Sequence, residues 1–294
     1  MKLTELIRKG VETISVLYPE GEAKEMVFAY MEDVFGFKRY KHVMEPDFVM
    51  QETDADRAIT DFGRMAGGEP LQYITGKAYF YGREFQVTPD VLIPRQETEV
   101  LISESLSLMT KEAPIKILDL CTGSGCIAWT LALETPGAQV KAVDISDGAL
   151  EVASRQDFAD EKARAEALSP TFIKADVLKG PASFIETHGA DRFDIIVSNP
   201  PYVMDKEKAL MRPNVLDHEP HLALFVPDND PLIFYRAVAF WASELLAENG
   251  VGIVEINEAL GLETAEVFKK CGFSQVEVLK DLHDKDRFVK FIKK

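Results

Sequence analysis

From residue 115 onward, short apolar segments alternate with stretches of helical periodicity. Ile115–Leu120, Val140–Asp144, Phe172–Asp176, Asp194–Val197 and Val251–Ile256 are each six residues or shorter and rich in aliphatic side chains. Helical patterns such as Ile127–Glu134 and Leu232–Glu248 lie between them. Strands separated by helices cannot pair as hairpins, so they must run parallel, joined by crossovers that cover both faces of a sheet. The expectation is an α/β fold. Val276–Leu279 and Arg287–Ile292 follow across a short connection and are expected to pair antiparallel at the sheet edge. Open sheets of this kind bind ligands outside the carboxyl ends of their strands.

Two such ends carry unusual residues. After the first strand comes Asp119-Leu120-Cys121-Thr122-Gly123-Ser124-Gly125, then a helix. Gly123 and Gly125 let the backbone turn sharply and approach a ligand closely. Asp144 ends the second strand, 19 residues after Gly125, where an acid can bind both hydroxyls of a ribose. Gly123–Ala128 also fits the loose dinucleotide pattern, which alone does not separate a dinucleotide from another adenosine ligand. Asp119 argues against pyrophosphate, which it would repel, and for a ligand ammonium. Asp176-Val177, after the third strand, offers a carboxylate to an adenine amino group.

The fourth strand ends in Asn199-Pro200-Pro201-Tyr202. Two prolines can neither continue a ladder nor start a helix interior, so the chain is held in a stiff extended turn. An amide stands at one end and an aromatic ring at the other. Asn199 Oδ1 and the Pro200 carbonyl can each accept one N–H of a planar NH2 group, and Tyr202 can lie against its face. The expected catalytic residues are therefore Asn199, Pro200 and Tyr202, with Pro201 lining the same substrate site. The expected cofactor residues are Asp119, Thr122, Gly123, Gly125, Asp144, Asp176, Val177 and Asn199.

Residues 1 to about 69 read as a helical domain. Leu3, Leu6, Ile7, Val11, Ile14 and Leu17 form one apolar stripe; Met26, Val27, Tyr30, Met31 and Val34 form a second, ended by Gly36; a third helix from near Asp54 carries Ala58, Ile59, Phe62 and Met65. In residues 70–90, Tyr73, Ile74, Tyr79, Phe80, Phe85 and Val87 are strand formers punctuated by Gly76 and Gly82, which reads as a β-hairpin linker. Residues 91–294 are then the catalytic domain.

A net charge of −16 gives no general attraction to a polyanion and suits a basic partner or a small substrate better. Three cysteines make no disulfide framework, and the opening residues meet Glu5 and Arg8 too early for a signal peptide, so a cytoplasmic protein is expected. Cys121 and Cys126 flank the glycine loop without further sulfur or histidine nearby, and Pro220 breaks any helix between His218 and His221; no metal site is expected.

Asp119–Gly125, Asp144, Asp176 and Asn199–Tyr202 together resemble the motif set of class I S-adenosylmethionine-dependent methyltransferases, whose Asn-Pro-Pro-Tyr form is typical of enzymes that methylate a nitrogen conjugated to a planar system. The resemblance implies S-adenosyl-L-methionine as cofactor, S-adenosyl-L-homocysteine as product, and a Rossmann-like seven-stranded mixed sheet. A narrower resemblance covers nearly the whole chain. Pro70–Gly76, Phe80–Phe85, Ile93–Glu99, Glu219-Pro220 with Ala223-Leu224, and Asp281-Leu282 with Lys285–Phe288 are similar to the peptide chain release factor glutamine methyltransferases. That family implies the glutamine of a Gly-Gly-Gln loop in class 1 release factors as acceptor, the helical domain as its docking surface, no direct nucleic-acid or membrane partner, and Arg95 and Glu97 near the cofactor cleft. After Glu255 the sequence departs from the family, reading Ile-Asn-Glu-Ala where glycine and glutamine are more usual.

Three alternatives stay open at this point. A glutamine methyltransferase of a ribosomal large-subunit protein differs mainly around Pro94–Glu99. An adenine-N6 nucleic-acid methyltransferase would share Asn199–Tyr202 but usually brings a basic recognition region. A non-catalytic adenosine-ligand module would need only the glycine loop and Asp144.

Overall fold

The computed structural model describes residues 1–108, 114–281 and 283–294. Leu282, one residue of the family motifs, lies outside the described residues. The chain divides into two compact units. The first comprises Met1–Lys77, Val87–Pro89 and Met211–Glu219; the second comprises Ala78–Gln86, Asp90–Leu210 and Pro220–Lys294.

The first unit is helical. Leu3–Ile14, Glu20–Phe35 and Glu52–Ala66 follow the three apolar stripes, with a short helix at Lys41–Met44 that the periodicity does not announce. Leu3, Leu6, Ile14, Val27, Tyr30, Met31, Phe62 and Met65 are buried together. Leu17, assigned to the first stripe, lies past the helix end and is exposed. The buried Tyr30 hydroxyl donates to Asp61 Oδ2 at 2.7 Å.

The segment read as the first part of a hairpin forms a helix instead, Leu71–Thr75. Pro70 stands at its N-cap with φ already near the helical value, and Gly76 closes it. These end signals outweigh the strand propensity of Tyr73 and Ile74. The hairpin is shorter than expected, with β1 at Lys77–Phe80 and β2 at Arg83–Gln86.

In the second unit, β3 (Lys116–Leu120), β4 (Gln139–Asp144), β5 (Thr171–Lys174), β6 (Phe193–Ser198) and β9 (Leu246–Glu255) run parallel. Two-residue strands β7 (Val203–Met204) and β8 (Phe225–Val226) pair outside the main sheet. β10 (Ser274–Lys280) and β11 (Asp286–Ile292) are antiparallel at one edge, which completes seven strands in the order β10-β11-β9-β6-β3-β4-β5. The mixed α/β sheet expected from the alternation is therefore present.

Successive strand residues feed opposite cores. Leu118, Ile196 and Val254 pack with Tyr235, Trp241 and Phe268 on one face. Ile117, Ile195 and Ile253 pack with Leu101, Trp129 and Leu131 on the other. Because both faces are covered, the strands read as continuous apolar runs. The chain leaves β3 toward β4 and β5, then returns to place β6 on the other side of β3. This switch point sets the carboxyl ends of β3 and β6 side by side, with Leu120 opposite Ser198.

Phe291 of β11 lies over Gly252 of β9, its register partner, and stacks on Phe268 with ring centres 4.1 Å apart. A Cβ at position 252 would sit 2.0 Å from the Phe291 ring. Gly252→Ala is expected to displace that ring and destabilise the protein by about 2 kcal/mol, the usual cost of overpacking a tight core. A fall in the urea midpoint for the second unit checks this.

Candidate active site

The turn after β3 is tied down by backbone bonds. Thr122 N donates to Val143 O at 3.0 Å, and Gly125 N to Thr122 O at 2.9 Å. Cys121 (φ +63°), Gly123 (φ +54°) and Gly125 (φ +78°) all adopt left-handed backbone. The two glycines serve different needs. A Cβ on Gly125 would press on Ala153 at 3.0 Å and on the Phe172 ring at 3.3 Å, so this position is closed by packing. A Cβ on Gly123 would meet nothing within 4 Å, which leaves its surroundings open to a ligand.

Asp144, at the end of β4, accepts from Gly123 N at 2.8 Å through Oδ2 and from Ser146 N at 2.9 Å through Oδ1. Each oxygen keeps a lone pair for a ribose hydroxyl. Burial raises its pKa, against the pull of these backbone donors.

Asp119 is fully buried. Its Oδ2 accepts the Thr122 hydroxyl at 2.6 Å, while Oδ1 has no hydrogen-bond partner. Burial pushes its carboxyl up to about 7; the Thr122 hydroxyl and the Ala128 N–H pull down, and the Asp144 charge adds to the rise. A desolvated carboxylate with an orphaned oxygen is incomplete by itself, and a cationic ligand group beside it would supply the missing partner. The Thr122 hydroxyl is thus turned inward, toward Asp119.

Asp176 Oδ1 accepts from Leu178 N at 3.0 Å and caps the short 3-10 turn Val177–Lys179. Val177 is buried in the core, and its carbonyl accepts from the Trp241 indole at 2.9 Å.

Across the switch point, the Ser198 hydroxyl donates to Leu120 O at 2.7 Å and fastens the end of β6 to the end of β3. Asn199 Nδ2 then donates to Thr98 Oγ1 at 3.2 Å, and its Oδ1 accepts no bond from any described side chain or backbone group. Thr98 in turn donates to Glu255 Oε2 at 2.6 Å, and the Tyr202 hydroxyl donates to Glu255 Oε1 at 3.1 Å. Glu255 ends β9 and is 1% exposed. Burial raises its pKa and that of the Tyr202 phenol.

The backbone after Asn199 is also held. Tyr202 N donates to Leu224 O at 3.2 Å, and the Tyr202 carbonyl accepts from Asn257 Nδ2 at 3.2 Å. Asn257 Nδ2 also donates to Glu207 Oε2 at 2.9 Å, and that oxygen accepts Met204 N at 2.7 Å.

The structure therefore places Asp119 and Gly123 at the end of β3, Asp144 at the end of β4, and Asn199 and Tyr202 after the end of β6. Thr98, Glu255 and Asn257 are additions that the sequence reading did not assign. One signal was present: Glu255 is a lone acid closing an otherwise apolar strand. Glu97 lies close enough to Glu255 for its charge to raise that group's pKa. Cys126 is buried, with its thiol pushed up to about 12 by desolvation. No group of three potential metal ligands occurs among the described residues.

The sheet order, the glycine turn and the Asn-Pro-Pro-Tyr strand end define a class I methyltransferase, and residues 97–218 match the methyltransferase small domain family. Residues 5–76 match the PrmC N-terminal domain family. The chain is 38% identical over 285 residues to the release factor glutamine methyltransferase of Flavobacterium psychrophilum, covering 95% of both chains. It is 40% identical over 290 residues to that of Bacteroides thetaiotaomicron, covering 98% of both. The chain belongs to the release factor glutamine methyltransferase family.

The buried Asp119 gives a stability test of this geometry. Its folded-state pKa lies above the ordinary 3.8, so folding is favoured while it stays protonated, and that contribution is lost as pH rises toward and through about 7. Asp119→Asn should therefore gain stability over the parent as pH is raised from about 5 to 8, by an amount on the order of 3 kcal/mol at most. Thermal unfolding of the two ligand-free proteins across that range is the measurement; a pH-independent difference would contradict it.

Proposed function

We propose that this chain methylates the side-chain nitrogen of the glutamine in the Gly-Gly-Gln motif of class 1 release factors. One observation carries the reading of the site: Asn199 gives its amide nitrogen to Thr98 and keeps Oδ1 as a free acceptor. A primary amide needs acceptors for its two N–H groups, and Asn199 Oδ1 with the Pro200 carbonyl supplies two.

Holding both N–H bonds fixes the glutamine nitrogen and pushes electron density onto it, which offsets delocalisation of its lone pair into the carbonyl. Tyr202, anchored at its hydroxyl by Glu255, would present its ring to the amide plane, and Pro201 would keep the turn stiff. No strong base is required beforehand, because the N–H becomes acidic as the nitrogen gains its new bond, and one proton then passes to solvent.

S-adenosyl-L-methionine, when bound, supplies a methyl group on a positively charged sulfur. The residues present fit that cofactor. The orphaned Oδ1 of Asp119 suits an ammonium, Asp144 suits ribose hydroxyls, and Gly123 borders open space. Asp176 and Val177 would border the adenine, the first through its remaining carboxylate oxygen. Thr122 and Gly125 would act by shaping the loop.

We assign release factor docking to residues 1–69, a linking role to residues 70–90, and catalysis to residues 91–294. No helix among the described residues is long and apolar enough to cross a membrane, and we read the protein as acting in the cytoplasm, where its acceptor works. The ribosomal-protein, nucleic-acid and binding-module alternatives are not favoured by the relatives.

Labelled S-adenosyl-L-methionine offered with a release factor, with the same factor lacking the Gly-Gly-Gln glutamine, and with duplex DNA should label the first alone. Asn199→Ala should lower kcat at saturating cofactor about 100-fold or more, as loss of a positioned polar group does. An Asn199→Ala enzyme of near-normal rate would sink the assignment.

A further inference from the structure

The Asn199 amide can be placed two ways, and only one serves the acceptor. With Oδ1 outward it accepts an N–H; turned over, it presents a donor to a donor. Nothing in Asn199 itself decides between them. The choice is made by Thr98, whose hydroxyl has one proton to give. Glu255 Oε2 takes that proton at 2.6 Å, so Thr98 Oγ1 faces Asn199 as an acceptor and admits only Nδ2, at 3.2 Å.

We propose that Glu255 and Thr98 are positioning residues that lock the Asn199 amide with Oδ1 toward the acceptor, and that protonating Glu255 releases the lock. The inference rests on the reading of the reaction given above. Ionised, Glu255 only accepts, and the chain of bonds has one direction. Protonated, it can donate to Thr98, whose own proton is then free to turn to Asn199 Oδ1 and stabilise the wrong placement. The enzyme should lose turnover on the acid side for a reason that lies two hydrogen bonds away from Asn199.

Every element around Glu255 bears on its ionisation. The Tyr202 hydroxyl, at 3.1 Å, and the Thr98 hydroxyl favour the charged form, as does the positive charge of Arg287 on β11. Glu97, in the turn that also carries Thr98, opposes it. Tyr235 from helix Ile233–Leu245 and Cys126 from helix Cys126–Glu134 face it as neutral groups whose own ionisation it suppresses. Arg287 is itself held by Asp281 Oδ2 at 3.0 Å, so its charge is fixed in place.

Steady-state methylation of a release factor by the full chain, from about pH 5.5 to 8.5, tests this. With S-adenosyl-L-methionine saturating, so that the Asp119 carboxylate is paired with the cofactor, wild type should show kcat falling at the acid end. Thr98→Val should lower kcat about 100-fold, as misplacement of a reacting group does, with KM for S-adenosyl-L-methionine within about twofold. Thr98→Ser, which keeps the hydroxyl, should recover kcat to within about threefold of wild type. Glu255→Gln is neutral at every pH and can turn either its oxygen or its NH2 to Thr98, so it should lower kcat about tenfold and lose the acid limb. Thr98→Val at the wild-type rate, or Glu255→Gln with the wild-type acid limb, overturns the inference and leaves the reaction standing. A wild-type chain that binds cofactor but labels no release factor overturns both together. Should Thr98→Val fail to fold, the Thr98→Ser rescue and the Glu255→Gln profile decide the matter by themselves.

Discussion

The site depends on carboxylates held at the carboxyl ends of buried parallel strands. Asp119 near the end of β3, Asp144 at the end of β4 and Glu255 at the end of β9 have all given up most of their water, and burial is the largest cause of the raised pKa of each. A desolvated acid must find donors or lose its charge. The three solve this differently. Asp144 takes two backbone N–H groups and is nearly self-sufficient. Glu255 takes two hydroxyls and thereby orders the residues that carry them. Asp119 takes one hydroxyl and leaves an oxygen bare. Glu255 is thus satisfied by groups of the chain itself, whereas Asp119 keeps an oxygen, and Asp144 a lone pair on each oxygen, for a further donor.

The sheet makes these positions coincide. The strand order sends β4 and β5 to one side of β3 and β6 to the other, so the loops after β3 and β6 diverge. The Ser198–Leu120 bond holds the two strand ends level. Asn199 therefore stands beside the glycine turn because of register, and no contact between the two motifs is needed to bring it there.

Much of this was legible in the sequence because it is local. Alternating apolar runs announce parallel strands, and the two glycines and the double proline announce their ends. Thr98 and Glu255 were illegible as partners for the opposite reason: 157 residues separate them, and only the packing of helix Glu99–Ser107 on β9 brings them into contact. Leu71–Thr75 misled because strand-forming side chains were weighed above the proline and glycine that bound the segment. The departure Ile256-Asn257-Glu258-Ala259 was visible, and its meaning was not. Asn257 turns out to hold the Tyr202 carbonyl and Glu207 with one amide nitrogen while its oxygen caps Ala259. It supports the segment after Asn199 and leaves the acceptor groups themselves untouched.

The polarity of the site also bears on where the reaction stops. Asn199 Oδ1 and the Pro200 carbonyl form a pair of acceptors, matched to a nitrogen bearing two protons. A nitrogen that has received one methyl retains a single N–H. It can fill one acceptor, and the other is left facing carbon in a partly desolvated cleft. Leaving such a group unpaired costs about 1–3 kcal/mol, or roughly a factor of 5 to 150 in binding. If these two acceptors select a primary amide as proposed, they also weaken the hold on the product, favour its release and disfavour a second transfer. On the proposed reading, selectivity for substrate and termination after one methyl share one physical origin, the direction of the hydrogen bonds that run from Glu255 through Thr98 to Asn199.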